Sequence, residues 1–206
     1  CILLPDVCYA FLSKDVHLLN MQNGLADNTV SAVYKDKEGF IWFGTRNGLS
    51  RYDGRRITNF ERSRSYPSIS NLKEVFDGVL AFVDNGVFSA FDLKKERFLS
   101  VVSSSGQGIP SRGMLQRNDT LVWVNSGSEL HLMKRCASKE GELRLRVQEK
   151  YTGWNNQDNH LVAITYSSDK KSICLIDEKG RIILLDATNL NSIRVIELGR
   201  TGRLSE

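Results

Sequence analysis

The sequence predicts an all-β chain, a β-propeller of four-stranded blades with about four to five blades present. Three observations carry this. Apolar residues alternate or cluster in runs of four to seven bounded by Gly, Asn and Asp, and helical spacing is nearly absent. A glycine hairpin recurs: "FIWFGTRNG" ends at Gly48, "VLAFVDNG" at Gly86, "LVWVNSG" at Gly127 and "ICLIDEKG" at Gly180. The intervals are 38, 41 and 53 residues, and the first two sit at the period of about 40 residues that a four-stranded blade occupies.

Residues 1–10, "CILLPDVCYA", are mostly apolar and end in the small-x-small run Cys8-Tyr9-Ala10. They read as a signal-peptide remnant, with a buried first strand as the alternative. Residues 11–206 read as a partial propeller domain with blades over about 20–64, 65–103, 110–150 and 158–200. "FLSKDVHLLN", ahead of the first full unit, reads as an extra outer strand of the kind that closes a complete ring.

The first unit is the clearest, with strands "TVSAVYKD", "FIWFGT", "LSRYD" and "RITNF". Asp36 is placed to accept backbone N–H bonds in the turn before the second strand, and Gly39 supplies that turn's unusual dihedral. Asn47-Gly48, and Asn85-Gly86 in the second unit, are pairs that tolerate positive φ at both central positions of a type I′ turn. Phe40 and Trp42 are expected on one side of their strand, Ile41 and Phe43 on the other. A strand apolar on both faces must be covered on both, which stacked blades achieve.

The second unit continues with "VFSAFD" to Asp92 and "ERFLS"; the third lacks the closing Asp; the fourth continues with "RIILLD" to Asp186 and "SIRVIEL". Cys174 in the fourth unit reads as a small buried hydrophobe. The 53-residue interval implies an insertion, "YTGWNNQDNH" from Tyr151 to His160, whose polar, amide-rich and aromatic character is that of an exposed loop.

The stretch from Asn23 to Gly54, "NGLADNTVSAVYKDKEGFIWFGTRNGLSRYDG", closely resembles the two-component-regulator propeller repeat. The match includes Asn23, Gly24, Leu25, Asn28 and Val30, and then the structural motif Asp36, Gly39, Trp42, Gly44, Thr45, Gly48, Tyr52 and Asp53. Later units depart from it, with Ala81 at the Trp position of the second and Cys174 near that of the fourth. The resemblance implies a larger ring of about seven blades, of which this chain supplies part, and the periplasmic sensor region of a hybrid two-component system of gut Bacteroides type. In such proteins propellers precede an immunoglobulin-like domain, a membrane span, a histidine kinase and a DNA-binding regulator, and the sensor responds to glycan fragments. It also implies that this chain is no enzyme, the intact protein being a histidine kinase.

Composition sets further bounds. With 41% hydrophobic and 25% charged residues over 206 positions, the chain is of ordinary globular character. A net charge of +4 is scattered, without a basic helix, RNP-like motif or zinc-finger spacing, so no nucleic-acid contact is expected. Cys1, Cys8, Cys136 and Cys174 form no C-x-x-C pair and have no His at ligand spacing, so neither a metal nor a cofactor is suggested. His17, His131 and His160 lie far apart, and no nucleophile elbow, P-loop or H-E-x-x-H is present, so no catalytic residue is assigned. The paired acids Asp36 and Glu38 fit turn capping better than glycosidic acid/base work.

Binding is the better expectation. Aromatic faces and amide groups hold sugars, and the insertion offers Tyr151, Trp154, Asn155, Asn156, Gln157, Asp158 and Asn159 in one loop. Arg46, Arg51, Arg55, Arg56, Arg62 and Arg64 gather around the first unit, either to meet an anionic glycan or as a charged outer strand. The expected partners are an oligosaccharide or other small ligand, the remaining blades, the immunoglobulin-like and kinase domains of the same protein, and a second copy in a homodimer. The alternatives are a propeller lyase or glycosidase and a protein-interaction scaffold.

Overall fold

The computed structural model describes residues 18–61, 68–152 and 160–197. Residues 1–10 and most of "FLSKDVHLLN" lie outside them. The described chain is all-β, as predicted, apart from a 3-10 turn at Met21–Asn23. The first blade runs β1 (Val30–Lys35), β2 (Ile41–Thr45), β3 (Gly48–Tyr52) and β4 (Ile57–Phe60). The second runs β5 (Ile69–Phe76), β6 (Val79–Asp84), β7 (Val87–Asp92) and β8 (Arg97–Ser103), and the third β9 (Gly113–Asn118), β10 (Leu121–Ser126), β11 (Glu129–Cys136) and β12 (Glu142–Tyr151). The fourth holds β13 (Leu161–Tyr166), β14 (Ser172–Asp177), β15 (Arg181–Asp186) and β16 (Ser192–Glu197).

Each blade is an antiparallel meander in chain order. The outer strands of the second and third blades also pair in parallel, Ser100–Ser103 of β8 against Glu142–Leu145 of β12. The first strands β1, β5, β9 and β13 touch in succession, so the blades are stacked along the chain.

Stacking dictates which faces are apolar. In β6 every residue is buried. Leu80 and Phe82 pack into the core shared with the first blade, around Trp42, Leu49 and Phe91, whereas Val79, Ala81 and Val83 pack into the core shared with the third. β10 divides likewise, with Val122 and Val124 facing the second blade and Trp123 facing the fourth. In β2 only the Trp42 face meets a neighbour among the described residues. Ile41 and Phe43 are half-buried on the other face, beside Val33, which is 60% exposed. β14 repeats this: Ile173 and Leu175 are buried, while Cys174 is only half-buried rather than a core hydrophobe. Burial of the Cys174 thiol still pushes its pKa up.

One turn differs from expectation. Asn85 (φ 49°) and Gly86 (φ 79°) form the predicted pair, but in the first blade only Gly48 has positive φ, at 106°. Thr45 causes the difference. Its hydroxyl accepts from the Asn47 N–H at 3.1 Å and donates to the Gly48 carbonyl at 3.0 Å, holding Arg46 and Asn47 as the two turn residues with Gly48 opening the next strand. Register then makes Trp42, Ala81 and Trp123 equivalent, each four residues before the first residue of its turn.

Candidate functional site

The motif residues of the first blade are joined by short bonds that leave them little free chemistry. The Asp36 carboxylate accepts the Phe40 N–H on Oδ1 at 2.9 Å and the Trp42 indole N–H on Oδ2 at 2.7 Å. One side chain thus closes the β1–β2 turn and anchors the buried indole. The Arg51 guanidinium lies over the Phe40 ring at 4.7 Å and reaches Glu96 of the second blade at 2.6 Å, a contact of interblade assembly. Gly44 serves the same end: an added Cβ would stand 2.5 Å from Ile69 Cγ2, so only glycine lets β2 approach β5 this closely. The Ser31 hydroxyl meets the Ile69 carbonyl across the same junction, and the Tyr52 hydroxyl donates to the Gly54 carbonyl at 2.8 Å.

Asp53, Asp92 and Asp186 each close a third strand in the same way, one carboxylate oxygen accepting two backbone N–H groups of the following turn. Those N–H donors hold the Asp53 and Asp186 carboxyls below the usual range. In the fourth blade Asp177, 2% exposed, takes the Lys179 and Arg181 N–H groups and the Arg181 guanidinium. Burial raises its pKa, and the Arg181 bonds outweigh that to leave it lowered.

The space lies between blades. Clefts of about 240 Å³ (first and second blades), about 260 Å³ (second and third) and about 710 Å³ (third and fourth) all open at the end formed by the β1–β2 and β3–β4 turns and their counterparts. The first holds Phe40, Trp42 and Arg51 among Glu74, Asp77 and Lys94. The third is lined by Gln116, Arg117, Tyr166, Lys170, Lys171 and Thr188, with Asp186 at its edge. Sequence patterning does not reveal these clefts, because their residues come from strands and turns of different blades.

Of the predicted ligand loop, Tyr151 ends β12, half-buried against the core between the third and fourth blades. Trp154, Asn155, Asn156, Gln157, Asp158 and Asn159 lie outside the described residues. Leu161, which opens β13, donates its N–H to the Gly127 carbonyl in the β10–β11 turn at 3.0 Å, at the end opposite the clefts. The predicted arginine group is dispersed: Arg46 sits in the β2–β3 turn and Arg55 and Arg56 in the β3–β4 turn at the other end, while Arg62 and Arg64 lie outside the described residues. His131 is bound to Glu129 at 2.6 Å, His160 is exposed and His17 is outside the described residues. No group of three His, Cys, Asp or Glu side chains suited to a metal occurs among the described residues.

Residues 24–47 match the family described as two component regulator propeller. Among solved structures, the chain is similar to the extracellular domain assigned to a hybrid two component system of B. thetaiotaomicron, with TM-score 0.60 and 16% identity over 91% of this chain and 28% of that one. It is similar to the extracellular domain assigned to a one component system of the same organism, with TM-score 0.64 and 14% identity over 90% of this chain and 29% of that one. The β-propeller domain of Cps50 (Swd1) from Myceliophteria thermophila gives TM-score 0.56 and 16% identity over 85% of this chain and 60% of that one. At these identities the likeness is one of fold. The chain spans less than a third of the length of the two bacterial domains. No curated protein matches the sequence, and no helix among the described residues is long and apolar enough to cross a membrane.

Proposed function

We propose, for a chain that carries a two component regulator propeller repeat on a stack of propeller blades, that it is part of the extracytoplasmic ligand-sensing region of a hybrid two-component sensor. The ligand is a glycan fragment, the compartment is the periplasm, and occupancy passes to a kinase module of the same protein. The observation that carries this reading is the repeat itself, whose conspicuous residues are spent on architecture: the carboxylate of Asp36 is committed to Phe40 and Trp42 and is unavailable for chemistry. A sensing rather than catalytic role fits such a scaffold. Signalling requires the ligand to favour one arrangement of the protein over another, since only differential affinity moves an equilibrium.

The glycan is held by the Tyr151–Asn159 loop, with Trp154 as its aromatic platform. Further blades of the same protein cover the open faces at Phe43 and Ile176. Calorimetric titration with neutral and acidic oligosaccharides should show saturable heat for at least one, and Trp154→Ala should weaken that affinity by roughly tenfold, about 1.4 kcal/mol. Unchanged affinity in Trp154→Ala removes the loop from the site, and no heat with any oligosaccharide removes the glycan. An exposed apolar patch that captured protein and no sugar would instead favour the scaffold reading.

A further inference from the structure

The interblade clefts differ in how their cations are satisfied. In the first, Lys37 meets Glu74 at 3.1 Å and Lys94 meets Asp77 at 3.3 Å. In the second, Lys95 and Arg97 both meet Glu140 at 2.9 Å. In the third, Arg117, Lys170 and Lys171 form no ion pair among the described residues. The one carboxylate in that lining, Asp186, is turned to the Thr188 and Asn189 N–H groups at 2.7 and 3.1 Å.

The third blade's register explains the imbalance. In the first blade Tyr34 pairs with Trp42, and Asp36, two residues on, both closes the turn and accepts the indole N–H. In the third blade Leu115 pairs with Trp123, and a bulge at Arg117, between the Gln116–Val122 and Asn118–Leu121 pairs, splits the two tasks. Asn118 closes the turn, its side-chain oxygen accepting the Thr120 and Leu121 N–H groups at 2.9 Å each. Arg117 takes the place beside the indole, its guanidinium 5.4 Å from the Trp123 ring. A cation thus stands where the first blade has a carboxylate, and the fully buried Trp123 indole has the Tyr166 phenol, not a carboxylate, as its polar neighbour.

We propose that the cleft between the third and fourth blades binds an oxyanion, the carboxylate, sulfate or phosphate group of a small ligand, which supplies the negative charge that Asp36 supplies in the first blade. Arg117 offers a planar pair of donors suited to such a group, and Lys170 and Lys171 add point charges. The Tyr166 hydroxyl, the Gln116 amide and the Thr188 hydroxyl are further polar groups in the same lining. Burial pushes the Tyr166 phenol up, so it stays protonated and able to donate at neutral pH. A volume of about 710 Å³ admits a ligand of small-molecule size rather than a bare ion alone. This site uses none of the residues from Trp154 to Asn159 and stands or falls independently of them.

The test is two-dimensional ¹⁵N–¹H NMR of the full chain at constant ionic strength, titrated separately with inorganic sulfate, inorganic phosphate and sodium acetate. The reporter is the Trp123 indole resonance, assigned with Trp123→Phe. At least one anion should move it saturably with a roughly millimolar midpoint, and the anion that does so identifies the oxyanion class. Lys170→Gln with Lys171→Gln, both on an exposed turn, should raise the midpoint at least tenfold, whereas Lys37→Gln with Lys94→Gln in the first cleft should leave it unchanged. No saturable shift with any anion, or an equal effect of the two double variants, overturns the proposal.

Discussion

At the residue scale, Asp36 and Gly48 concentrate the local physics of the first blade. Replacing Asp36 by Ala leaves a buried indole N–H and a turn N–H without acceptors, and should lower stability by about 1–3 kcal/mol in denaturant unfolding. Trp42→Ala should cost more, about 3–5 kcal/mol, because a fully buried side chain leaves a cavity between two blades. Gly48→Ala places a Cβ 2.4 Å from the Phe60 carbonyl at φ 106°, whereas Gly86→Ala meets nothing within 4 Å. The first substitution should therefore destabilise clearly more than the second, and equal costs would refute the steric account. Asp177 sets an acid limb. Its folded pKa lies below its unfolded value, so its contribution is present above the ordinary carboxylate range and is lost as pH falls through the depressed value. Asp177→Asn should flatten that limb in thermal melts taken as a function of pH.

At the scale of the strand and turn, much was legible in the sequence because the chemistry is local. The carboxylate–glycine turn at Asp36 and Gly39 and the Asn85-Gly86 turn follow from side-chain hydrogen bonding and positive φ within a few residues. The two-sided apolar pattern read at Phe40–Phe43 implies a strand covered on both sides; among the described residues β2 is covered on its Trp42 face, whereas β6 is buried on both. The first hairpin departs from the expected turn because Asn-Gly suits two turn geometries, and the choice is made by the Thr45 hydroxyl, two residues before the pair. Gly44 was legible as part of a motif but not as a contact, since its reason is Ile69 on another blade. Gly44→Val should force the first two blades apart and lower stability by more than about 2 kcal/mol. Ile69→Ala should recover part of that loss in a double-mutant cycle, and strict additivity would show that the two positions do not share a contact.

At the scale of the whole molecule, the stacking that buries β6 and β10 leaves one face of the first and fourth blades uncovered among the described residues. Val33 and Phe43 mark one such face, Cys174 and Ile176 the other. The sequence could not distinguish these faces from the interior ones, because β2 is as apolar as β6 and only the neighbours differ. The isolated chain should self-associate with rising concentration in sedimentation velocity, and Val33→Glu should reduce that association; a monomer at every concentration would contradict it. The interblade clefts were likewise invisible in the sequence, their linings coming from strands and turns some forty to fifty residues apart, as Lys37 and Asp77 or Arg117 and Lys170 are. The central claim is that this propeller stack binds a glycan without transforming it. It is tested most directly by titrating the chain calorimetrically with the oligosaccharide panel and then measuring the length of each recovered oligosaccharide. The account predicts saturable heat and an unaltered sugar; no heat, or a shortened product, would contradict it.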